Sequence, residues 1–315
     1  MNVIALGVHV VDVLVRPVEE IPEGQGGQLV DEIRITPAGS AGGTAITLGK
    51  LGASVRSAGA IGEDELGDVL LALLGRFGVD TSLLVRRAGV QTSASVLPIR
   101  QDGSRPAFHV VGANGTYTSA DAPWDEIQRA EFLHLGAPEF MGGEEAAKIL
   151  SFAREHEVVT SADILAPGEQ AAMIVDWLAP AFEHIDYLLP NEEQVLGLTG
   201  ASELEAGCEA LLERGVGCVA ATSGADGAVM AGRDGAQRVP AFVTDVVDTT
   251  GCGDAFSAGF LRGLGLGRSG RESAVLGCAA AALVAQGLGS DHGDFTLETA
   301  DEFAADTPTI QETGT

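Results

Sequence analysis

The amino-acid sequence predicts an α/β fold that combines a mostly parallel central sheet with a second, small β-sheet. Short apolar runs alternate with helix-length segments over most of the 315 residues. Such alternation is typical of βαβ units, whose strands lie parallel in one sheet. Two other segments, around residues 30 and 100, instead alternate polar and apolar side chains, which indicates a sheet with one solvent-exposed face.

The elements of the large unit follow in chain order. The apolar run 3–15 predicts a buried first strand, because it contains His9 and Asp12 and lacks the basic start and cleavage site of a signal peptide. Further strands are predicted at residues 132–135, 158–160, 187–189 and 218–222. Helices are predicted at residues 43–51, 64–77 (closed by Gly78), 144–156, 170–182, 202–214, 253–264 and 271–286.

The small sheet is predicted from two separated parts of the chain. Residues 30–35 alternate in polarity, and residues 95–99 and 107–111 flank a turn at 101–104, so we expect one small antiparallel sheet. The predicted division is a large α/β domain (residues 1–12, 37–91 and 113–295) and a β lid over it (residues 13–36 and 92–112). Residues 296–315 are acidic and rich in Thr, and we expect a frayed tail there.

The charge balance argues against two classes of partner. The chain has 45 Asp and Glu against 18 Lys and Arg, a formal net charge of −27. Such a surface repels nucleic acid and anionic membranes beyond a Debye length of roughly 8 Å. No run approaches the ~18 apolar residues of a membrane-spanning helix, and the four cysteines form no CxxC pair and no zinc-ligand pattern. We therefore expect a cytoplasmic protein with reduced thiols and a small-molecule ligand.

Residues 248–254, Asp-Thr-Thr-Gly-Cys-Gly-Asp, form the segment that predicts chemistry. A helical run follows, so the amides of Gly251, Cys252 and Gly253 would form an anion hole at a helix N-terminus. Asp254 in the first helical turn suits a general base that removes a proton from a hydroxyl group. From this short motif alone, an Asp that only offsets the helix dipole is an equally good interpretation.

The full segment 248–254 favours the catalytic interpretation of Asp254, because it resembles the C-terminal signature of the ribokinase-like, or PfkB, family of carbohydrate kinases. Other segments resemble the same family in the right order: residues 7–12, 37–45, 51–53, 61–67, 112–114, 190–194, 222–227 and 278–289. The resemblance covers nearly the whole chain. It implies a three-layer α/β/α fold closed by the β lid, and an enzyme that uses ATP to phosphorylate a hydroxyl of a sugar or sugar-like molecule.

The resemblance also implies roles for individual residues. Asp254 would be the general base, and Mg²⁺ would accompany ATP. Asp248 would help to order a monovalent cation such as K⁺, and the lid would pair with its copy in a homodimer. The residues expected to bind the acceptor substrate are Asp12, Gly39, Ser40, Gly43 and Asn114. The residues expected to bind ATP are Asn191, Thr222, Gly224, Gly227 and Cys278.

Three positions depart from the family pattern. Gly43 stands where relatives usually have an Asn that contacts the sugar, Val10 replaces a common polar residue, and Gln194 replaces the Glu of Asn-x-x-Glu. The acceptor stays open among ketoses, pentoses, sugar acids and nucleosides. An aromatic content of 5% argues against a nucleoside, whose base is usually stacked. A catalytically silent relative that senses a sugar or nucleotide is the alternative from another class.

The lid supplies three further candidates. Arg100, Arg105 and His109 lie in or beside its second segment and are placed to meet a carboxylate or phosphate of the substrate. Solvated residues that discourage edge pairing of the sheet are an equally good interpretation.

Overall fold

The computed structural model describes residues 1–101, 103–166, 168–233 and 235–313. Its strands are β1 Asn2–Gly7, β2 Val10–Arg16, β3 Glu32–Ala38, β4 Ser54–Gly62, β5 Asp80–Arg87, β6 Ala94–Pro98, β7 Phe108–Val110, β8 Phe132–Gly136, β9 Val159–Asp163, β10 Tyr187–Leu188, β11 Cys218–Thr222, β12 Ala228–Gly232 and β13 Gly235–Val239. Its helices are α1 Ser40–Lys50, α2 Glu65–Gly75, α3 Trp124–Ile127, α4 Gly143–Glu155, α5 Gly168–Phe182, α6 Glu192–Thr199, α7 Leu204–Glu213, α8 Cys252–Gly265, α9 Gly270–Val284, α10 Leu297–Asp306 and α11 Ile310–Thr313.

The large sheet has the order β13-β12-β11-β10-β9-β8-β1-β4-β5. Its pairs from β11 to β5 are parallel, and only the edge pairs β11–β12 and β12–β13 are antiparallel. The prediction of a mostly parallel central sheet is therefore confirmed. The carboxyl ends of parallel strands lie at one edge, which is where such sheets bind ligands.

Helices cover both faces of this sheet. Along β1, Val3 and Ala5 point into a core shared with α1, α2, α8 and α9, whereas Ile4 and Leu6 point into a core shared with α3 to α7. Because successive side chains of a strand point to opposite faces, these two cores show that both faces of the large sheet are buried. The predicted three-layer α/β/α architecture is confirmed. Among the described helices, none has the length and apolar character needed to cross a membrane.

The small sheet has the order β3-β2-β6-β7. The pairs β2–β3 and β6–β7 are antiparallel, but β2 and β6 are parallel. The expectation of a purely antiparallel sheet was therefore wrong in its central pair. The long connection from β3 to β6 passes through the large domain, which allows the parallel arrangement, whereas short hairpins would not.

The N-terminal apolar run is two strands in two sheets, not the single strand predicted from its composition. β1 ends at Gly7 in the large sheet, and β2 begins at Val10 in the small sheet. At the break, Asn114 holds both backbone groups of His9, since its Oδ1 accepts from the amide at 3.2 Å and its Nδ2 donates to the carbonyl at 2.9 Å. A continuous apolar pattern cannot reveal a break that a distant side chain stabilises.

The C-terminal segment is helical rather than frayed over most of its described part. Thr296 caps α10 together with Thr299, and Phe303 lies edge-on to Phe242 with ring centroids 5.6 Å apart. The apolar face of α10 packs on the domain, and its acidic residues lie largely outside. The expectation was wrong because the acidic composition concealed an amphipathic stripe. Residues 314 and 315 of the predicted tail lie outside the described residues.

Candidate active site

The segment 248–254 forms the N-terminus of α8. Gly251 is the residue before the helix, with φ of 78°. In the first helical hydrogen bond, the amide of Ala255 donates to the carbonyl of Gly251 at 2.8 Å. A side chain at position 251 would collide with Ser290, whose Cβ lies 2.3 Å from the place of the added atom. Glycine is therefore required by both backbone conformation and space.

Of the three amides predicted to form the anion hole, that of Cys252 is engaged within the turn itself. The amide of Cys252 donates to the carbonyl of Thr249 at 3.3 Å. The amides of Gly253 and Asp254 come before the first helical bond, and nothing within 4 Å would meet a side chain at Gly253. Burial raises the pKa of the Cys252 thiol to about 12, so this side chain is protonated and is no nucleophile.

The carboxyl of Asp254 lies in a negative and poorly solvated environment. Burial raises its pKa well above the usual range, and the nearby carboxylates of Asp163 and Asp12 raise it further, whereas Arg105 opposes the rise. A carboxylate with a raised pKa is a stronger base. The position is thus suited to accept a proton.

Arg105 reaches this helix start from the β6–β7 loop of the small sheet. Its Nη1 donates to Oγ1 of Thr250 at 2.7 Å, and its Nη2 donates to Oγ1 of Thr249 at 3.4 Å. Its Nε lies 3.8 Å from Oδ1 of Asp248, whose side chain is only 1% exposed. A guanidinium from the small sheet therefore lies beside the anion-binding turn.

The same contacts bear on the monovalent cation that was expected at Asp248. Its Oδ1 accepts from the amide and hydroxyl of Thr250 at 3.0 and 2.8 Å, and its Oδ2 accepts from the amide of Gly289 at 3.0 Å. Both oxygens are engaged, and Arg105 already supplies a positive charge. This arrangement does not fit a cation site at Asp248, and no step below depends on K⁺.

The predicted acceptor-binding residues fall into two groups. Asp12 and Gly39 line a cavity of about 590 Å³ between the inner face of the small sheet and the large domain. Burial raises the pKa of Asp12 to about 6, although a hydrogen bond from Ser95 opposes this rise. Ser95 in turn bonds Nδ1 of His109 at 3.0 Å. Asp12, Ser95 and His109 thus form a polar row across the sheet.

Ser40, Gly43 and Asn114 do not line this cavity. The hydroxyl of Ser40 is buried and has no partner among the described residues, and the amide of Asn114 is occupied by His9. Gly43 lies against the carboxyl group of Asp254, because an added Cβ would be 2.1 Å from Oδ2 of that residue. Asn114 and Gly43 therefore shape the site rather than contact a substrate from its wall.

A second cavity, of about 270 Å³, brings most of the predicted ATP-binding residues together. Its walls include four of them, Thr222, Gly224, Gly227 and Cys278, and also Cys252 and Gly253 of the anion-binding turn. The remaining wall is largely apolar, with Phe242 and small residues of α9. A pocket of this composition suits a flat heterocycle that is followed by phosphates at the helix N-terminus.

Asn191 does not line that cavity but is paired with Thr222, which does. It caps α6, a helix that the sequence analysis missed: its Oδ1 accepts from the amide of Gln194 at 2.8 Å, and Gln194 Oε1 accepts from the amide of Asn191 at 2.8 Å. Gln194 Nε2 donates to the carbonyl of Ile164 at 2.6 Å. A glutamate could not make this last bond while ionised, which explains the departure from Asn-x-x-Glu.

Sequence reasoning also missed two acidic residues of the site. Asp163 ends β9 and raises the pKa of Asp254. Glu139 follows β8 and lines the acceptor cavity. A usable signal existed, because both come at or after the carboxyl end of a parallel strand, where ligands bind.

Whether the described residues could hold Mg²⁺ depends on the oxygen ligands that they offer. No group of three or more His, Cys, Asp or Glu among the described residues could hold a metal ion. Mg²⁺ that travels with a nucleotide needs only one or two carboxylates besides phosphates and water. Glu192 and Glu193 provide such acceptors in the first turn of α6, directly after Asn191, which is paired with Thr222; Glu192 also accepts a hydrogen bond from the hydroxyl of Ser223. The residues therefore fit a metal that arrives with ATP.

Comparison with known proteins found one matching family model and several similar proteins. A family model described as pfkB family carbohydrate kinase matches residues 3–295. A nucleoside kinase of Methanothermobacter thermautotrophicus is 26% identical over 264 residues, which cover 83% of this chain and 82% of that protein. An ATP-dependent ribose-1-phosphate kinase of Halopiger xanaduensis is 30% identical over 251 residues, which cover 79% of this chain and 80% of that protein.

Solved structures agree on the fold. A ribokinase II from E. coli in complex with ATP and Mg²⁺ superimposes with a TM-score of 0.83 and covers 96% of this chain and 99% of its own. Its sequence identity is 21%, so the likeness concerns the fold.

Proposed function

Since this chain belongs to the pfkB family of carbohydrate kinases and is an ATP-dependent sugar kinase, we propose that Asp254 is the base of the transfer. In the proposed step, Asp254 takes the proton of an acceptor hydroxyl, whose oxygen forms a bond to the γ-phosphorus of ATP. The bond between that phosphorus and the β,γ-bridging oxygen breaks, and ADP leaves with that oxygen.

The observation that supports this proposal is that Asp254 adjoins one residue of each of two cavities. Gly253, the preceding residue, lines the nucleotide cavity. Asp12, whose charge acts on Asp254, lines the acceptor cavity. A hydroxyl held by Asp12 would meet the end of the nucleotide beside Asp254, with the amides of Gly253 and Asp254 turned to the transferring group.

The other groups of the site have supporting roles in this proposal. Asp12 orients the acceptor, since a carboxylate can accept from two hydroxyls. Arg105 adds positive charge next to the phosphoryl group and does so from the small sheet, so that closure of this sheet would complete the site. Mg²⁺, held with ATP near Glu192 and Glu193, supplies further charge neutralisation when bound.

We also propose that two copies associate through the small sheet. Ile35, Val13, Val96 and Phe108 lie in one cross-strand row. Ile35 is 50% exposed, Val96 44% and Phe108 60%, and Ile33 next to this row is 64% exposed. A contiguous apolar sheet face of this kind is typical of an interface, and a second copy offers a matching face by two-fold symmetry.

Release of ADP against a panel of acceptors tests the kinase proposal. The panel should contain neutral sugars, sugar acids, phosphorylated sugars and nucleosides, and mass spectrometry should identify the phosphorylated product. We expect ADP and product in equal amounts with at least one acceptor. Tight binding of acceptors and ATP without any ADP would contradict the proposed reaction.

A further inference from the structure

The acceptor cavity has a composition that restricts its substrate. One wall is the polar row Asp12, Ser95 and His109 on the small sheet. The opposite wall comes from the ends of β8 and β9 and from α5, and it is largely apolar, with Phe140 and Trp177. The cavity volume of about 590 Å³ lies within the range of roughly 300–1,000 Å³ that buries drug-sized ligands. It therefore has room for more than a sugar ring.

The charges of the wall oppose an anionic acceptor. Among the described residues that line the cavity, Asp12 and Glu139 are acidic and none is Lys or Arg. His109 is the one lining side chain there that could become cationic, and burial lowers its pKa, which favours the neutral ring. Arg105 is committed to Thr250 and Thr249 at the phosphoryl-transfer end. A phosphate or carboxylate in this cavity would face two acidic side chains with no cation to pair it.

The apolar wall opposes a free sugar that fills the cavity. Trp177 is 52% exposed and its ring packs over Gly142, where an added Cβ would lie 2.8 Å from Cζ2. Leu165 is 43% exposed at the same wall. A sugar carries hydroxyls on every side, and those turned to this wall would lose their hydrogen bonds to water. A flat apolar group would instead gain from the contact.

Glu139 provides one polar anchor within that wall. Its Oε1 accepts from the amides of Leu165 and Ala166 at 2.7 and 2.9 Å. Its Oε2 is buried and has no partner among the described residues. Burial raises the pKa of Glu139 to about 7, so that the group can accept or donate a hydrogen bond near neutral pH. A buried polar atom without a partner retains the capacity for one further hydrogen bond.

We propose that the acceptor is an uncharged sugar that carries a flat heterocyclic substituent, as a nucleoside does, with the sugar at Asp12 and the heterocycle against Trp177 and Phe140. A ring N–H or ring nitrogen of the heterocycle then bonds Oε2 of Glu139. This inference rests on the proposed kinase reaction, since it specifies the acceptor of the same site. The low aromatic content of the chain does not oppose it, because the few aromatic residues that matter are gathered at one wall.

A binding experiment tests this inference independently of turnover. The chain has two tryptophans, and Trp124 packs against Phe152 rather than in the cavity. In the variant Trp124→Phe, Trp177 is the remaining fluorophore, and we expect nucleosides to quench it in a saturable manner while ribose does not. Quenching by ribose 1-phosphate in preference to nucleosides, or no quenching by any nucleoside, would overturn the inference.

A kinetic experiment separates the inference from the proposed reaction. We expect kcat/KM for the best nucleoside to exceed that for ribose, fructose and their phosphates by at least about tenfold, and Trp177→Ala to raise KM for the nucleoside about tenfold, the effect of one lost base–aromatic stack. Glu139→Gln should lower kcat/KM for that nucleoside and leave a free sugar unaffected. Preference for a free or phosphorylated sugar would overturn this inference alone, whereas absence of ADP with every acceptor would overturn the kinase reaction.

Discussion

Gly43 and Asp254 are in such close contact that position 43 has no space for a side chain. A Cβ there would lie 2.1 Å from Oδ2, 2.7 Å from Cγ and 2.9 Å from Cβ of Asp254. Rotation of the carboxyl group alone would not relieve the last of these contacts. The residue at position 43 thus limits where the carboxyl group of Asp254 can lie, and a side chain as large as Asn there would force a different arrangement in this chain.

The variant Gly43→Ala tests this relationship. We expect kcat to fall by about 10²-fold, because displacement of a catalytic group by about 1 Å has an effect of that size. Gly42→Ala is the matched control, since the nearest atoms to an added Cβ there belong to His9 and lie at an ordinary 3.4 to 4.0 Å. Equal activity of both variants in steady-state assays would show that Asp254 tolerates the crowding.

Asp254→Asn tests the proposed base. We expect ATP binding to persist, measured by calorimetry, while kcat falls by about 10²–10⁴, the usual contribution of a positioned base. The variant should also be more stable than the parent at pH 8. The pKa of Asp254 is raised in the folded state, so its protonated form stabilises the fold at low pH and this stability is lost as the pH rises.

The gain in melting temperature of Asp254→Asn should therefore disappear as the pH falls towards about 4, the usual range of an unfolded Asp. Asp176→Asn is the control, because this side chain is 96% exposed and should show no such trend. Activity of Asp254→Asn within a few-fold of the parent would disprove the role of the base.

Arg105→Ala should lower kcat by about tenfold or more, because a cation next to the transferring phosphoryl group is lost. Arg100→Ala is the matched control in the same loop, since Arg100 bonds the carbonyl of Glu19 and the hydroxyl of Ser104.

The activity of the parent protein should be equal in K⁺, Na⁺ and choline salts, because both carboxylate oxygens of Asp248 already accept hydrogen bonds. Strong activation by K⁺ would contradict our interpretation of the Asp248 site.

Gln194→Glu should destabilise the fold at pH 8 by about 1–3 kcal/mol, since the carboxylate would oppose the carbonyl of Ile164 instead of donating to it. Lower pH should restore stability, because a protonated Glu can donate. Gln237→Glu, at an exposed position of β13, controls for the added charge. Denaturant unfolding at pH 5 and pH 8 measures both, and an equal effect at the two pH values would exclude the proposed cause.

Ile35→Asp should convert a dimer to a monomer in sedimentation experiments, because a charge placed in an apolar interface must be desolvated. Leu266→Asp is the control, since Leu266 is 42% exposed at the end of α8 and lies outside the small sheet. A parent protein that is monomeric at micromolar concentration would disprove the proposed association.

Much of the site was predictable because it lies in contiguous segments. The segment 248–254 combines the turn glycines, the helix start and the proposed base within seven residues, so local backbone rules were enough to predict the turn and the start of α8. Asp12 and the Thr222–Gly227 turn were predicted through the resemblance. In the structure Asp12 lines one cavity, and Gly253 and Thr222 line the other.

Other members of the site come together only in three dimensions. Arg105 belongs to a loop of the small sheet, Asp163 to the end of β9 and Glu139 to the turn after β8. The sequence indicated Arg105 as one candidate of the small sheet, and the strand ends before Asp163 and Glu139 indicate the region where ligands bind. Neither signal shows which of these side chains come together. Their roles depend on which strand ends are adjacent and on how the small sheet is placed over the large one.

The sequence by itself determined the α/β alternation, the two sheets and the glycine turn at the start of α8, because these depend on the order of neighbouring residues and on the conformations that glycine permits. Only the tertiary structure decided the place of the break between β1 and β2, the packing of α10 and the closeness of Gly43 to Asp254. These depend on contacts between distant parts of the chain, whose geometry is determined by the packing of the whole domain.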